Sequence, residues 1–417
     1  MNRIVAIEPE KYWFSVLPSS WQTGRIKDVY NQISNIGSNL DEGAYIPLEN
    51  LESFTGKLNQ RVNNENNETT NLFRTGDILL NKLRPYLAKI HLAEFNGGVS
   101  GEVIVLRNST IWKRNTSNKY FFYRFLSSTF IDKINSMSEG VKMPRTNPSK
   151  ILALDIAIPS LEEQTAIAEY LDTKTQAIDK KVSLLEKKVG YYLELRKSLI
   201  NETVTKGLDK NVKLKDSGID WIGKIPKHWE VKRGKDFFKE ISRKNRPDLP
   251  LLAASQKQGV VLKSMLENRS MEAQKSFEIF KWVKPKDFVI SLRSFEGGIE
   301  TAFYEGIISP AYTVFNFRAN GNITSYFTHL FKSVRFIDFL QSSITGIRDG
   351  QSVKFIELER AFFAVPPVSE QEQIADYLAE KTSKIDQIIT NIQTQIATLK
   401  ELRKTLVNDV VTGKIKV

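Results

Sequence analysis

An internal duplication is the feature that most constrains how this chain of 417 residues folds. Residues 158–205 and 365–412 align without a gap at a constant offset of 207, with 19 identities in 48 positions. The segments that precede them repeat more loosely, and Trp21 aligns there with Trp229. Such a duplication predicts two similar domains, each followed by a similar helical segment.

Both copies of the closely repeated segment carry the apolar spacing of a long helix. Apolar residues recur in alternating steps of four and three, which is typical of a coiled-coil seam. The predicted seam is Ile178, Val182, Leu185, Val189, Tyr192, Leu195 and Leu199 in the first copy, and Ile385, Ile389, Ile392, Ile396, Leu399, Leu402 and Leu406 in the second. A helix of about 45 residues with one apolar stripe is not stable alone. Either the two helices pair with each other, antiparallel because of the pseudo-twofold repeat, or each packs on its own domain.

Prolines and glycines mark the predicted limits of these helices. Pro159 and Pro366 precede them, and Gly207 and Gly413 follow them. At the second helix, Ser369 followed by Glu372 suits a capping box. The predicted segments are an N-terminal domain (1–157), a first spacer helix (158–209), a C-terminal domain (210–364) and a second spacer helix (365–417).

Short apolar runs rich in β-forming residues lie in both domains, separated by Gly or Pro. The runs 76–81 and 286–291 align through their aspartates, and together with 102–107 and 312–317 they predict strands. Aromatic-rich runs that follow predict short helices. We therefore expect an α+β fold: two mixed α/β domains separated by two long helices that form an antiparallel coiled coil.

The charge of the chain favours an anionic partner. The net charge is +12 and the pI about 9.4, which suits nucleic acid or an acidic membrane. The excess is +4 in 1–157 and +9 in 210–364, against −1 and 0 in the helical segments, so nucleic acid would be held by the domains. With no Cys, no signal-peptide pattern and no long apolar run, we expect a cytoplasmic protein without disulfides or a membrane span.

The motifs of enzymes that act on nucleic acid are missing. We find no Gly-rich cofactor loop with the Asn/Asp-Pro-Pro-aromatic motif of adenine methyltransferases, no GxxxxGK[ST] phosphate loop and no carboxylate cluster suited to Mg²⁺. The three histidines, His91, His228 and His329, are scattered. We expect no catalytic residue and no metal site in this chain. An enzyme with an unrecognised site is the alternative.

The stretch KGLDKNVKLKDSGIDWIGKIPKHWEV, from Lys206 to Val231, resembles the junction in specificity subunits of type I restriction-modification systems. Other marks of that family are Pro followed by Glu-Gln at each helix start, ELRKSLI and ELRKTLV near the helix ends, and GDILLNKLRPYL and VISLRSFEGG in the domains. One departure is the N-terminal KYWFSVLPSSW, which keeps Pro18 and Trp21 but lacks the Ser-Gly lead found at 217–223.

The resemblance implies a non-catalytic reader of double-stranded DNA. Each domain would be a target-recognition domain for one half of a bipartite site, and the helix pair would fix the spacer. Two modification subunits would dock to methylate an adenine in each half-site, and restriction (motor-nuclease) subunits would join to cleave unmodified DNA in phage defence. S-adenosylmethionine, ATP and Mg²⁺ would belong to those partners. A two-headed nucleic-acid-binding scaffold outside restriction is the alternative function.

Basic and aromatic residues beside turns or strand ends are the candidates for DNA contact. Arginine can bind guanine O6 and N7 in a bidentate fork, although most such groups touch phosphate. The candidates are Lys82, Arg84, Tyr86, Lys142 and Arg145 in the first domain, and Arg293, Tyr312, Arg348 and Lys354 in the second. The alternatives are a structural salt bridge for Arg84 and a place in the core for Tyr86 and Tyr312.

The Glu-Gln pairs at the helix starts have two open interpretations. These residues are Glu163, Gln164, Glu370 and Gln371. They suit the first turn of a helix, where the helix dipole favours acids. They equally suit a surface that faces a partner subunit.

Overall fold

The chain divides into two compact units, each of which contains one end of both long helices. Unit 1 consists of residues 1–186 and 393–417, and unit 2 of residues 187–392. This division differs from the four predicted segments because the helix ends share hydrophobic cores with the domains beside them. The structure is a computed structural model, and it describes residues 4–5, 17–37, 44–59, 62–63, 70–112, 114–266, 277–319, 321–343 and 352–417.

Unit 1 is built mainly from short strands. The strands are β1 (Ile4–Val5), β2 (Leu17–Pro18), β3 (Gln22–Arg25), β4 (Tyr30–Ile33), β5 (Ile36–Gly37), β6 (Ala44–Ile46), β7 (Val62–Asn63), β8 (Thr70–Phe73), β9 (Ile78–Asn81), β10 (Ile90–Leu92), β11 (Gly97–Val99), β12 (Val103–Asn108) and β13 (Asp155–Ile158). The short α-helices are α1 (Ile26–Val29), α2 (Asn118–Leu126), α3 (Ser128–Ser136) and α4 (Pro148–Leu152), and 3-10 helices span Leu48–Asn50 and Pro85–Leu87. The first long helix, α5 (Leu161–Lys206), begins in this unit.

Unit 2 repeats this plan of short strands and short helices. The strands are β14 (Leu214–Asp216), β15 (Lys224–Pro226), β16 (Glu230–Arg233), β17 (Phe238–Ile241), β18 (Leu252–Ser255), β19 (Gly259–Leu262), β20 (Lys281–Val283), β21 (Phe288–Ile290), β22 (Glu300–Thr301), β23 (Gly306–Ile308), β24 (Thr313–Phe317) and β25 (Phe362–Val365). Its helices are α6 (Gly234–Phe237), α7 (Ser294–Gly297), α8 (Thr324–Leu330), α9 (Val334–Ser342) and α10 (Phe355–Arg360), with 3-10 turns at Lys263–Met265 and Phe277–Ile279. The second long helix is α11 (Val368–Val411).

Each unit contains a four-stranded antiparallel sheet. The strand order is β10-β9-β12-β4 in unit 1 and β17-β24-β21-β22 in unit 2. A separate antiparallel pair, β13 with β3 or β25 with β16, holds the chain just before each long helix. Unit 1 also has a five-stranded sheet, β5-β8-β11-β6-β7, in which only the β11–β6 pair is parallel among the pairs described.

The central strand of each four-stranded sheet separates two hydrophobic cores. In β9, Ile78 and Leu80 belong to the core that contains α2 and α3, and Leu79 belongs to a second core. In β21, Phe288 and Val289 are divided in the same way. Successive strand residues face opposite sides, so a continuous apolar run is what a strand buried on both faces requires. The predicted strands are confirmed as β9, β12, β21 and β24.

Local sequence explains where the long helices begin and end. Ser160 and Glu163 form the capping box of α5: Ser160 Oγ accepts a hydrogen bond from Glu163 N at 3.2 Å, and the Glu163 carboxylate accepts one from Ser160 N at 3.3 Å. The box predicted at Ser369 and Glu372 is wrong, because α11 already begins at Val368 and Ser369 lies within its first turn. Gly207 and Gly413 follow the two helices with φ angles of 76° and 75°, which confirms the predicted ends.

The two long helices run antiparallel within each unit. In unit 1, the start of α5, with Ile167 and Leu171, shares a core with the end of α11, including Val407 and Val410. In unit 2, the end of α5 (Ile200, Val204) shares a core with the start of α11 (Ile374, Ala375, Leu378). The helices therefore pair with each other and also pack on the domains, so the two alternatives left open by the sequence both hold. A coiled-coil geometry stays a prediction.

Two positions of the predicted seam point away from it. Leu195 and Leu402 are both 52% exposed. The inward positions belong instead to their neighbours Arg196, which is half-buried and binds Asp386 at 3.0 Å, and Arg403, which is buried and binds Asp179 at 3.0 Å. The remaining positions are buried (Val182, Ile385, Ile389, Ile392) or half-buried (Ile178, Leu185, Val189, Tyr192, Leu199, Ile396, Leu399, Leu406).

His329 makes the stability of unit 2 depend on pH. Burial, together with a smaller effect of repulsion from Arg196, lowers the pKa of His329 from its ordinary value of 6.5 to about 4. Because the folded pKa lies below the unfolded one, this contribution is complete above about pH 6.5 and is lost as the pH falls towards 4. Between pH 7 and pH 4, we expect the wild type to lose about 2–3 kcal/mol more unfolding free energy than His329→Gln. Denaturant titrations at both pH values measure this, and equal losses in the two proteins would contradict it.

Candidate nucleic-acid interface

The first-domain candidates come together on one surface of unit 1. Lys82, Arg84 and Tyr86 lie in the turn after β9, and Lys142 and Arg145 lie in the loop between α3 and α4. Two backbone hydrogen bonds join the segments, from Arg84 N to Pro144 O at 2.7 Å and from Thr146 N to Lys82 O at 3.0 Å. We call residues 82–86 and 139–146 the first cationic face.

A buried asparagine holds the turn of this face. The Asn81 side chain donates to Leu83 O at 2.8 Å and to Arg84 O at 3.1 Å, and it accepts from Lys89 N at 3.0 Å. Arg84 has a left-handed backbone (φ 50°) and precedes Pro85, which starts a 3-10 helix. The buried Asn81 amide thus hydrogen-bonds the backbone groups of a turn whose left-handed conformation at Arg84 few non-glycine residues adopt. The turn is therefore fixed before any ligand binds.

The cationic side chains of the first face differ in whether they already form ion pairs within the protein. Arg145 forms a fork with Glu102, at 2.6 Å and 3.1 Å, which occupies part of its guanidinium group. In the part of the chain that the structure describes, no ion pair involves Lys82, Arg84 or Lys142, and Arg84 Nη2 contacts only a carbonyl oxygen, that of Lys142, at 3.4 Å. The salt bridge considered for Arg84 is thus absent there and is found at Arg145.

The two candidate tyrosines have different surroundings. Tyr86 is 44% exposed beside Arg84, so it is not a core aromatic. Tyr312 is half-buried and packs against the core that contains Val289 and Val314. Its ring therefore contributes to the packing of unit 2, and a DNA contact by Tyr312 stays a prediction.

The second-domain candidates lie at the corresponding place in unit 2. Arg293 follows β21, and its side chain is 76% exposed and lies 3.9 Å from the Glu296 carboxylate. Lys354 precedes α10 and, with Leu292, lines a cavity of about 360 Å³. Arg348 lies outside the described residues. We call residues 291–297 and 352–354 the second cationic face.

The duplicated aspartates lie at the far end of the same strands. Asp77 is buried before β9, where it accepts a fork from Arg107 at 2.8 Å and 2.7 Å, and this hydrogen bonding raises the pKa of Arg107. Asp287, before β21, accepts from Asn316 at 2.8 Å and also binds Arg243. Both aspartates are structural. They place Arg84 and Arg293 at equivalent ends of equivalent strands.

The Glu-Gln pairs at the helix starts are used inside the fold. Gln164 and Gln371 are 0% and 1% exposed, and their amide oxygens accept from Ser117 N at 2.8 Å and Ile323 N at 3.0 Å. This burial contradicts a partner-facing role for the two glutamines, because each amide joins its helix to the loop before the aromatic helix of its own domain.

The glutamates of these pairs bind the duplicated tryptophans. Glu163 accepts from Trp21 Nε1 at 3.4 Å, and Glu370 accepts from Trp229 Nε1 at 3.0 Å and contacts His228 Nε2 at 2.7 Å. Both carboxylates are only half-buried. They are therefore engaged in the fold, and a role towards a partner stays a prediction for them.

The sequence did not reveal every residue that shapes these surfaces. Glu102 lies 43 residues from Arg145 along the chain, so its fork to that arginine follows only from the tertiary fold. Val141 and Met143, at the tip of the first face, are 99% and 55% exposed, and nothing in their chemistry predicts exposure. The described part of the chain contains no cluster of three or more potential metal ligands. No helix found among those residues is long and apolar enough to cross a membrane.

Comparison with known proteins identifies the kind of protein that carries these two faces. Residues 18–187 match the family model of the type I restriction modification DNA specificity domain. The chain is also 24% identical to the type I restriction enzyme MjaIX specificity subunit of Methanocaldococcus jannaschii over 96% of this chain and 95% of that protein. Residues 18–187 therefore form a type I restriction-modification DNA specificity domain, and the chain as a whole is similar to type I restriction enzyme specificity subunits. This confirms the resemblance noted in the sequence.

Other proteins of type I restriction systems match this chain in part of the sequence or in fold. The EcoDI specificity subunit of Escherichia coli is 29% identical over 180 residues, which are 40% of this chain and 38% of that protein. A chain solved in a study of assembly and conformational transition of the type I R-M system superposes with a TM-score of 0.69 at 15% identity, covering 96% of this chain and 99% of that one. The HsdS subunit from Thermoanaerobacter tengcongensis gives 0.52 at 17% identity, covering 96% and 98%. These structures confirm the predicted fold class.

Proposed function

We propose that this specificity subunit binds a bipartite DNA site, with the first cationic face on one half-site and the second on the other. The observation that carries the proposal is the equivalent placement of Arg84 and Arg293, each at the end of the central strand of its own sheet. A duplicated chain that carries an arginine after the same strand of both copies is suited to two related binding events. The charge excess of both domains supports an anionic ligand.

The physical chemistry of the two faces favours direct reading of bases. An arginine fork fits O6 and N7 of guanine in the major groove, and each such pair contributes about 1–3 kcal/mol of discrimination. Arg84 is held by a fixed turn and is not neutralised by a carboxylate in the described residues. Lys82 and Lys142 beside it suit phosphate contacts, which position the protein without specifying sequence.

Catalysis, in this proposal, belongs to partner subunits. The chain carries no methyltransferase, motor or nuclease motif, so it directs two modification subunits to methylate adenine and restriction subunits to cleave unmodified DNA. S-adenosylmethionine, ATP and Mg²⁺ are bound by those partners. Since its substrate is the DNA of the cell, we place the complex in the cytoplasm.

Substituting Arg84 tests this assignment. In the complex with the modification subunits, we expect Arg84→Ala to weaken binding to the recognised site by about tenfold or more at fixed salt. Arg74→Ala is the matched control. Arg74 is exposed at the opposite end of β9, and its replacement by alanine removes the same charge. Competition titrations against random DNA measure the preference. Equal losses for the two variants would contradict a specific role for the first cationic face.

A further inference from the structure

The first cationic face ends in an exposed apolar tip. Val141 is 99% exposed and Met143 is 55% exposed, on either side of the exposed Lys142. Gly140, which precedes them, has a φ of 97° and turns the chain outwards. Val141 buries almost no surface in the fold and Met143 buries less than half of its own, so neither side chain contributes much to folding through burial.

This tip is held in place and does not depend on its own side chains. Glu139 and Arg145 exchange two backbone hydrogen bonds at 2.8 Å and 2.9 Å, which close the loop at its base. Pro144 O accepts from Arg84 N at 2.7 Å, and Thr146 Oγ1 donates to Ile134 O at 2.9 Å. Because the ordering of the loop is complete in the folded chain, contacts made by the tip lose little conformational entropy.

The charges around the tip indicate what it meets. Arg84, Lys142 and Arg145 belong to the same face as Val141 and Met143. Glu102 and Glu139 are already paired, with Arg145 and Lys150 respectively. Cationic side chains beside an apolar tip suit a ligand that carries negative charge along the edges of a groove and presents an apolar group on the groove floor. In the DNA major groove, the apolar group at the base edges is the C5-methyl group of thymine.

We infer that Val141 and Met143 contact the methyl group of a thymine in the half-site bound by the first cationic face. The inference rests on the proposed function and adds a base-specifying contact to it. Lys142 and Arg84 direct the tip into the groove through phosphate and base-edge contacts, and the unbranched Met143 side chain adapts to the methyl group. The sequence repeats the same chemistry as Gly346-Ile347-Arg348 in the second copy, outside the described residues.

Replacing thymine by deoxyuridine, which lacks only this methyl group, tests the contact. The subunit is assembled with its modification subunits, and its site is found by sequencing methylated DNA. Each thymine of the site is then replaced singly in duplexes whose Kd is measured at fixed salt. Because the methylated adenine pairs with thymine, the half-site contains at least one. We expect one replacement to weaken wild-type binding by about fourfold, the effect of one buried methyl group.

Variants of the tip separate this contact from other causes. The double variant Val141→Ala with Met143→Ala should bind the natural site more weakly than wild type and lose nothing further with deoxyuridine at the sensitive position. Ile111→Ala is the matched control, since Ile111 is 86% exposed and follows the end of β12 that is farther from the first cationic face. This variant should behave as wild type. A double variant as sensitive to deoxyuridine as wild type would overturn the inference.

Two further outcomes are informative. If wild type prefers its site over random DNA but no thymine is sensitive, the inference is wrong while the proposed function stands. If the double variant binds DNA normally but no longer binds the modification subunits, the tip is a protein contact and the inference is again overturned. Absence of any preference for the site over random DNA would overturn the proposed function as well.

Discussion

Replacing Arg403 by alanine should destabilise unit 1 by about 3 kcal/mol, whereas the same change at Arg196 should cost unit 2 less than about 1 kcal/mol. The two arginines correspond through the offset of 207, as do their partners Asp179 and Asp386. Each arginine binds the aspartate of the other helix at 3.0 Å. The expected difference therefore comes from their surroundings.

Arg403 is buried, and it makes more hydrogen bonds than Arg196 does in the described residues. Besides Asp179, its guanidinium donates to Phe54 O at 2.7 Å and to Thr55 O at 3.0 Å, so it joins the helix to a loop of the first domain. Its removal leaves two carbonyl oxygens without this donor and leaves Asp179 with Lys57 at 2.9 Å. The side chains of Arg196 and Asp386 are 35% and 53% exposed. Because both side chains of this pair are accessible to water, solvation of the separated charges offsets most of the ion-pair energy.

Hydrogen exchange of the full-length chain measures both effects, because it reports opening free energies separately for amides of unit 1 and unit 2. Arg403→Ala should lower the protection of unit 1, and Arg196→Ala should leave unit 2 nearly unchanged. Equal losses at the two positions would show that the contacts to Phe54 and Thr55 contribute nothing.

The architecture could be predicted because its signals are periodic. The strand β9 appears in the sequence as a continuous apolar run, since its residues alternate between two cores and none faces water. The long helices appear through their four-three spacing and their terminal glycines. The duplication then predicts that whatever the first copy forms, the second forms too.

The details of the helix seam could not be predicted from apolarity. After Tyr192, a step of three residues leads to Leu195 and a step of four leads to Arg196, and both steps keep to the same face of the helix. The sequence favours the leucine, and the structure turns the arginine inwards because Asp386 on the facing helix neutralises it. The repeated Arg and Asp at the offset of 207 were a signal of this pairing.

The buried glutamines show the same limit of reasoning from polarity. The sequence leaves a partner-facing surface open for Gln164, and glutamine is mostly an exposed residue. Its amide group instead binds Ser117 N at 2.8 Å, Pro159 O at 3.0 Å and Asn115 O at 3.2 Å, which removes the cost of burial. Those partners lie up to 49 residues away, so only the tertiary fold reveals them.

Exchanging residues 1–157 for the corresponding segment of another family member should change one half of the recognised site and leave the other half unchanged. Arg84 and Arg293 belong to separate compact units with separate cores. Loss of the original half-site should reduce preference for the original sequence by about a thousandfold or more, because each mismatched base pair costs about 1–3 kcal/mol. The donor segment must fit Ile167, Leu171, Val407 and Val410, which complete the core of the first domain.

Sequencing of methylated DNA from cells that express this chimaera with its modification subunits tests the central claim of two independent readers. The unchanged half-site serves as an internal control, because its recognition shows that the chimaera folds and assembles. The account predicts a methylated motif with one new half and one original half. A motif in which both halves change together would contradict it.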